Sequence, residues 1–509
     1  MIDEAAGSAQ VTDTSFNNAL ASPPLIGAAP PLPSSFSPSG QWNGSSLTWE
    51  TAAGAPVSIL EAATSYRVTV TLTARSGWTF NGLRASSFTY TDIPGAVVSG
   101  GGPQLNGSKM TFVIDFTLQQ TDVSAGIAGD PSLIEQLDWI KAHGEPCKNY
   151  LVLVTRSETI APYTLDVGQN NNLASIGIML KSTSDTYQIR PSENGPLFTL
   201  RGYNSRNEIT LILDAHINLR GRDANNNAVV WVDNNAVLIM NEGASIRENT
   251  GTTYNGGGVF NNGTFTMHGG TISHTKASKG GGVFNNGTFT MHGGTISYTE
   301  AYNGGGVFNS GTFTMHGGII TQISVDGNGG GVYNNGGNFT MNSGEISNNN
   351  AVNGGGIYVD NYGTTTIHGG VISINRADNN GGGIYNNGSS FTMNNGKILN
   401  NRASFDGGGV YSFSRVSING GIIGGNQAHS GGGVFVSGSN VTFTKTGNSI
   451  IYGDTDHLHT EGSTENTASE NGNAVMYAVD SNGGKKRDST AGVGVSMSSD
   501  LLGARGGWE

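Results

Sequence analysis

The chain has almost no cysteine, little charge and no long apolar run. One cysteine, Cys147, in 509 residues excludes an intrachain disulfide framework and a cysteine-based zinc site. Charged residues make up 12 % of the chain, and 25 basic against 37 acidic residues give a net charge of −12. This balance lacks the basic footprint that nucleic-acid phosphates require, so we predict no nucleic-acid partner.

Apolar runs such as Tyr150–Val154 are far shorter than the roughly 20 residues of a membrane-spanning helix. We therefore predict no transmembrane helix. The opening sequence, MIDEAAGSAQ, lacks the basic and apolar segments of a secretory signal peptide. An extracellular location is thus not predicted from this segment.

Glycine, in contrast, is abundant. It occupies 80 of 509 positions, about twice its usual share, without the strict three-residue period of collagen. With 36 % hydrophobic residues the chain has enough apolar material to fold. This composition favours a repeat solenoid.

Three segments precede the repeats. Residues 1–35 are rich in Pro, Ala and Ser and are predicted to form a disordered leader. Residues 36–121 contain short alternating runs between Gly, Pro and Asn turns, which predicts a small Ig-like β-sandwich. Residues 122–130 are assigned as a linker.

A short amphipathic helix is predicted at 131–144. Ser132 and Glu135 have the spacing of a capping box, and apolar residues follow at helical intervals. Because a solenoid's terminal coil exposes its core and an unpaired edge, we interpret this helix as an N-terminal cap.

The strongest signal is an internal repeat. The sequence GGGVFNNGTFTMHGGTIS begins at Gly256 and recurs verbatim at Gly280, and related copies follow every 24 to 27 residues up to Gly431. Each copy holds about three short β-type runs between Gly or Asn turns. We predict an all-β protein in which 145–509 form a right-handed, single-stranded parallel β-helix with GGG[VI][FY] repeats.

Alternation along each run predicts which columns face inward. In Thr264–His268, Phe265 and Met267 are predicted to enter the core, and both threonines and the histidine to face outward. His268, His292 and His316 then stand about 5 Å apart on successive coils. They are candidate ligands of a soft metal, or solvated turn residues copied by duplication.

An aromatic column adjoins an aliphatic one, and only one of the two faces the core. If the aromatic side chains face outward, they form a stripe on which sugar rings can stack or another protein can dock. If they face inward, they form an internal stack that contributes only to stability. The sequence leaves both open. The candidate binding residues are Trp231, Phe260, Phe284, Phe308, Tyr333, Tyr358, Tyr385, Tyr411 and Phe435.

Charge is concentrated on the early coils. Arg220, Asp223, Asp233 and Arg247 are the candidate catalytic residues, with surface ion pairing as the alternative reading. No cofactor is implied by the residues.

The repeats carry a family resemblance. Gly-Gly-Gly-Val/Ile, with Phe339-x-x-Asn342 and Phe391-x-x-Asn394, is similar to the repeats of polymorphic outer membrane proteins, which are parallel β-helix adhesins. The order of sandwich, helix, LILDAHINLRGRDANN, GGGV repeats and KKRDSTAGVGVSM resembles uncharacterised spirochaete-type surface repeat proteins. The resemblance implies a cell-surface or extracellular location.

The sequence thus predicts a non-enzymatic cell-surface or secreted β-solenoid. Its repeated coil faces are expected to bind a glycan or a surface protein of a host or neighbouring cell. One alternative is a polysaccharide lyase or hydrolase of pectate-lyase-like fold, and another is a purely structural envelope protein. The oligomeric state is not predicted.

Overall fold

The computed structural model describes most of the central chain and shorter pieces at both ends. The described residues are 2–3, 8–10, 42–51, 65–74, 78–79, 97–99, 109–117, 120–145, 148–166, 176–182, 186–203, 208–437, 441, 443–446, 449–452, 466–471, 475–478, 485–487 and 496–497. They form two compact units. The first unit contains residues 1–154, 166–181 and 201–212, and the second contains 155–165, 182–200 and 213–509.

The first unit contains an antiparallel sheet of four strands, in the order Trp42–Thr51, Ser65–Ala74, Lys109–Thr117 and Val97–Ser99. A second small sheet joins Ile2–Asp3, Ser8–Gln10 and Trp78–Thr79. Most of the predicted leader, Cys147 and much of the predicted Ig-like segment lie outside the described residues. The Ig-like sandwich stays a prediction.

Helix α1 spans Leu133–His143. The Ser132 side chain accepts a hydrogen bond from the Glu135 backbone N–H, and the Glu135 carboxylate accepts one from the Ser132 backbone, so the capping box is complete. The buried Gln136 amide donates to the Leu153 carbonyl at 2.8 Å and accepts from the Leu153 N–H at 3.0 Å. The helix is thereby tied to a parallel strand of its own unit.

Parallel strands lie at Gln120–Asp122, Asn149–Leu153, Ile176–Lys181 and Ile209–Leu213, and all of their residues except Leu213 belong to the first unit. A short 3-10 turn covers Ser124–Gly126. In the described part of the chain, no helix is both long enough and apolar enough to cross a membrane.

Parallel strands stack as a β-solenoid of about 12 turns, which confirms the predicted parallel β-helix. Within the second unit, the coils contribute strands to three sheets, which we name after the residues of the repeat, and some coils contribute two short strands to one of them. The FTM sheet contains Ala236–Met240, Thr264–Met267, Thr288–Met291, Thr312–Met315, Asn338–Met341, Thr364–Ile367, Ser390–Met393, Arg415–Ile418, Phe443–Lys445 and the antiparallel Ser496–Met497.

The other two sheets run beside it. The TIS sheet contains Glu158–Ile160, Tyr187–Pro191, Ile217–Arg220, Ser245–Thr250, Thr271–Lys276, Thr295–Ser297, Ile319–Ser324, Glu345–Ala351, Val371–Ser373, Arg376–Ala377, Lys397–Leu399, Arg402–Ala403, Ile422–Gly424, Gln427–Ser430, Ile450–Ile451 and Thr467–Asn471. The VFN sheet contains Tyr163–Asp166, Phe198–Arg201, Val230–Val232, Val259–Asn261, Val283–Asn285, Val307–Asn309, Val332–Asn335, Ile357–Asp360, Ile384–Asn386, Val410–Ser412, Val434–Ser437, Val475–Ala478 and the antiparallel Lys485–Arg487.

The interior of the coils is lined by in-register apolar columns. Phe265, Phe289 and Phe313 are fully buried and stack with ring centroids 4.7 Å apart. The methionine column beginning at Met267 is equally buried. The predicted inward columns are therefore confirmed.

Polar ladders complete the interior. Buried Asn349, Asn375, Asn401 and Asn426 follow one another on successive coils, and each side-chain amide donates to the next side-chain oxygen at 2.9–3.0 Å. A second ladder begins at Asn261 in the VFN sheet, with the corresponding distances at 2.7 Å. Buried amides in these columns thus find partners on the neighbouring coil.

On the TIS side of eight successive coils, the chain turns at one residue in the left-handed region of backbone conformation. This column is Glu248, His274, Tyr298, Gln322, Asn348, Ile374, Asn400 and Gly425, all with φ between 53° and 66°. The GGG segment needs glycine for a different reason, because a Cβ at Gly355 would lie 2.4 Å from the Arg376 carbonyl oxygen.

Candidate functional site

The aromatic column lies on the side of the VFN sheet opposite the core. In each Val-Phe-Asn strand the valine and asparagine are fully buried, as at Val283 and Asn285. Because successive side chains alternate across a strand, the aromatic residue between them points the other way. The question left open by the sequence is thus answered: the aliphatic column faces the core and the aromatic column faces outward.

The outward aromatic rings are nevertheless largely covered, because they cover one another. From Trp231 to Phe435 each ring stacks on the next, with centroids 4.0–5.2 Å apart and planes within 29° of parallel. Phe308 is only 3 % exposed and Tyr358 only 8 %. The faces of the inner rings are occupied by neighbouring rings, so sugar stacking on those faces is not available.

Polar contacts hold the edge of this ladder. The Tyr333 hydroxyl donates to the Asp360 carboxylate of the next coil at 2.9 Å. Burial, and then the hydrogen bond and charge of Asp360, raise the pKa of Tyr333 far above its usual value. The Lys279 ammonium lies 5.2 Å from the Phe308 ring centroid. The ladder therefore offers ring edges and a few polar groups to a partner.

The histidine column forms a second stack, on the outer side of the FTM sheet. Ring centroids are 5.1 Å apart between His268 and His292, and 5.0 Å between His292 and His316. Asn342 extends the column, with its side-chain amide 3.2 Å from His316 Nδ1. Parallel rings in a row supply ligands poorly for a tetrahedral site. No group of three or more His, Cys, Asp or Glu side chains among the described residues is arranged to hold a metal ion.

The face that carries this stack is regular and polar. Thr264, Thr288 and Thr312 pair in register, and so do Thr266, Thr290 and Thr314. Thr288 and Thr312 are exposed, as are His292 and His316. Each of these coils thus presents two hydroxyls and one imidazole in the same positions.

The early-coil charges do not form one site. Arg220 and Glu248 form an ion pair, and Arg247 Nε lies 3.6 Å from the same carboxylate and 3.1 Å from Asn218 Oδ1. Asp223 accepts a hydrogen bond from Thr250 Oγ1 at 3.3 Å. These contacts place Arg220, Asp223 and Arg247 on the TIS side of the coil.

Asp233 has a different environment. It follows the VFN strand Val230–Val232 and accepts a hydrogen bond from Trp231 Nε1 at 2.8 Å. The cavity that Asp223 lines does not include Asp233. No acid–base pair of Asp223 and Asp233 is formed, because the two residues follow strands of different sheets.

Sequence reasoning missed Arg190. It aligns in register with Arg220, which aligns with Arg247, so three consecutive TIS strands carry arginine at one position. The signal is present in the sequence as an apolar residue followed by arginine, in Ile189-Arg190, Leu219-Arg220 and Ile246-Arg247. It was obscured because these coils lack the GGG motif that fixes the register later.

No protein-family model, curated protein or solved structure matches this chain. The resemblance to surface repeat proteins therefore stays a prediction.

Proposed function

We propose that the chain is a non-enzymatic interaction protein of the cell surface or extracellular space. It binds a glycan or a surface protein of another cell through repeated coil faces. The supporting observation is the register of the FTM sheet, in which identical outward side chains recur on successive coils.

The physical basis is multivalency. Hydroxyl, amide and imidazole groups each contribute little to binding from a solvated surface. When one weak contact is repeated on neighbouring coils, binding at one coil raises the effective concentration at the next. A partner with its own repeated groups, such as a polysaccharide, gains most from this arrangement.

The FTM face supports this proposal better than the aromatic ladder does. The inner aromatic rings are stacked on each other, and only their edges remain for a partner. In contrast, threonine and histidine side chains of the FTM face are exposed on consecutive coils.

Coil number provides the test. Deleting residues 280–303 joins Lys279 to Gly304 and removes one repeat unit without changing the register of the GGG segments. Inserting a second copy of the same residues adds one unit. The full-length variants and the native chain are compared in native gels containing mannan, xylan or bacterial peptidoglycan, and on immobilised fibronectin.

Deletion is expected to weaken binding to the same probe and duplication to strengthen it. Equal binding by all three chains contradicts a repeated contact surface. No binding of the native chain to any probe favours a purely structural envelope protein.

A polysaccharide lyase or hydrolase is the competing enzyme class. Turnover of a polysaccharide, measured as new reducing ends and abolished in Asp223→Ala or Asp233→Ala, identifies an enzyme. A non-enzymatic protein is expected to release no reducing ends in any of these variants.

A further inference from the structure

A basic groove lies on the early coils, away from the FTM face. It encloses about 350 Å³, within the range of small-ligand sites. Its lining comes from four consecutive coils of the TIS side and consists of Thr159, Arg190, Pro191, Ser192, Arg220, Gly221, Arg222, Asp223 and Glu248.

Backbone geometry brings the arginines into this groove. Ile189 pairs with Leu219 in a parallel ladder, so Arg190 and Arg220, the next residue of each strand, lie side by side. Arg222 follows two residues later, past Gly221, where a Cβ would lie 2.3 Å from the Asn249 Cβ. Only glycine lets the chain pass the buried Asn249 so closely, and Arg220 and Arg222 lie directly before and after this close approach.

The charges of the groove are not balanced internally. Three guanidinium groups face two carboxylates, those of Asp223 and Glu248. Arg220 forms an ion pair with the Glu248 carboxylate and donates a hydrogen bond to Gln188 Oε1 at 3.3 Å. Arg222 donates a hydrogen bond to the Ser192 carbonyl at 2.9 Å. Among the described residues, none forms a hydrogen bond or ion pair with the Arg190 guanidinium, although the Arg190 backbone pairs with the neighbouring strand.

Arginines stacked on neighbouring strands repel one another, and this cost is relieved when an anion lies between them. Guanidinium groups are planar forks that match carboxylate and sulfate oxygens in pairs. Arg190 and Arg220 lie on adjacent strands of the sheet, so their backbones are separated by the strand spacing of roughly 4.8 Å.

We infer that this groove binds an acidic polysaccharide, through carboxylate or sulfate groups held by Arg190, Arg220 and Arg222. The groove is open at the surface, and Arg190 is exposed and Arg220 half-buried, so an extended chain can enter without rearrangement of the fold. Because the whole protein carries a charge of −12, the attraction acts only at short range and weakens with added salt.

A set of polymers with one backbone tests this inference. Dextran, carboxymethyl-dextran and dextran sulfate differ only in the charged group. With each polymer covalently linked to the gel matrix, the native full-length chain is expected to be retarded by one or both acidic polymers and not by plain dextran. Retardation by carboxymethyl-dextran alone identifies carboxylate as the group that is bound. Retardation by dextran sulfate alone identifies sulfate.

The double variant Arg190→Gln with Arg222→Gln is expected to bind the acidic polymer about tenfold more weakly or worse, since charged hydrogen bonds are lost. Arg402→Gln is the matched control. Arg402 is an exposed arginine in the same sheet that does not line the groove. Neither variant removes a buried contact, and circular dichroism checks that both are folded.

The inference is overturned by no retardation of the native chain by either acidic polymer, by equal retardation of the double variant, or by equal loss in Arg402→Gln. The inference is also overturned if single-stranded DNA binds at the same arginines as tightly as the acidic polymer does. The site would then bind phosphate groups without selecting an acidic sugar. The result is independent of the coil-number experiment, since the repeats are unchanged in these variants.

Discussion

His268 and His292 stack one above the other, with ring centroids 5.1 Å apart and planes 17° from parallel. His316 continues the stack at 5.0 Å. Burial, followed by the charge of His292, lowers the pKa of His268; burial, followed by the charge of His316, lowers that of His292. Because the repeated coils stack these imidazoles directly on one another, protonation of one ring disfavours protonation of the next.

This stack predicts that acid destabilises the protein. An unfolded histidine has a pKa near 6.5, and the folded values of His268 and His292 lie lower. As the pH falls below roughly 6.5, the unfolded chain takes up protons first. The stabilisation is fully present above that pH and is lost as the pH falls through the lowered folded values.

Urea unfolding at pH 7.5 and pH 5 measures this loss. Replacing His268, His292 and His316 together by Asn is expected to reduce the difference between the two midpoints, because Asn342 shows that the column accepts asparagine. The control replaces Thr264, Thr288 and Thr312 by Asn, which changes as many outward side chains of the same sheet without removing a titratable group. An undiminished pH difference in the histidine variant refutes the stack as its source.

The aromatic ladder predicts a stability effect before any binding effect. Tyr358 is 8 % exposed and stacks on Tyr333 and Tyr385 at 4.9 and 4.8 Å. Tyr358→Ala leaves a gap between two rings and is expected to lower the free energy of unfolding by about 3 kcal/mol. Tyr362, four residues further on and 87 % exposed, is the matched control.

Thermal unfolding of both variants distinguishes the two readings of the ladder. Tyr362→Ala is expected to change stability little, because its side chain is already in water. If Tyr358→Ala is as stable as the native chain and instead loses a ligand, the ladder is a binding stripe and its burial is unimportant.

The sequence was sufficient to predict the columns that depend on alternation. Phe265 and Met267 could be assigned to the core because a strand side chain has only two directions, and the verbatim repeat fixed which residues lie one above another. Alternation did not reveal that the outward Phe308 is almost fully covered, because its cover comes from Phe284 and Tyr333 on neighbouring coils. Burial by stacking is a property of the assembled solenoid.

The positions of the early-coil charges could not be predicted from the sequence. Asp223 and Asp233 are ten residues apart, but one lies on the TIS side and the other follows a VFN strand. Without the GGG motif, the register of these coils is only weakly marked in the sequence. The apolar-arginine pairs that align Arg190 with Arg220 are too short a signal to stand out alone.

The left-handed column of the TIS sheet predicts a stabilising substitution. Ile374 has φ 56° and is 56 % exposed, whereas Asn348 and Asn400 hold the same position on the coils before and after it. A β-branched residue is strained in this conformation, by roughly 1–2 kcal/mol, and asparagine tolerates it. Ile374→Asn is expected to raise the free energy of unfolding by about 1 kcal/mol in urea titrations.

A control substitution at Ile319 tests whether the stability gain at Ile374 comes from relief of backbone strain or from removal of an exposed apolar side chain. It is 39 % exposed in the same sheet but lies within the strand Ile319–Ser324 and outside the left-handed column. Ile319→Asn removes a comparable exposed apolar side chain while the backbone stays extended, so it is expected to leave stability unchanged or lower it, because asparagine is a poor strand residue. An equal gain in both variants contradicts the strain argument, since relief of exposed apolar surface then accounts for the effect at both positions.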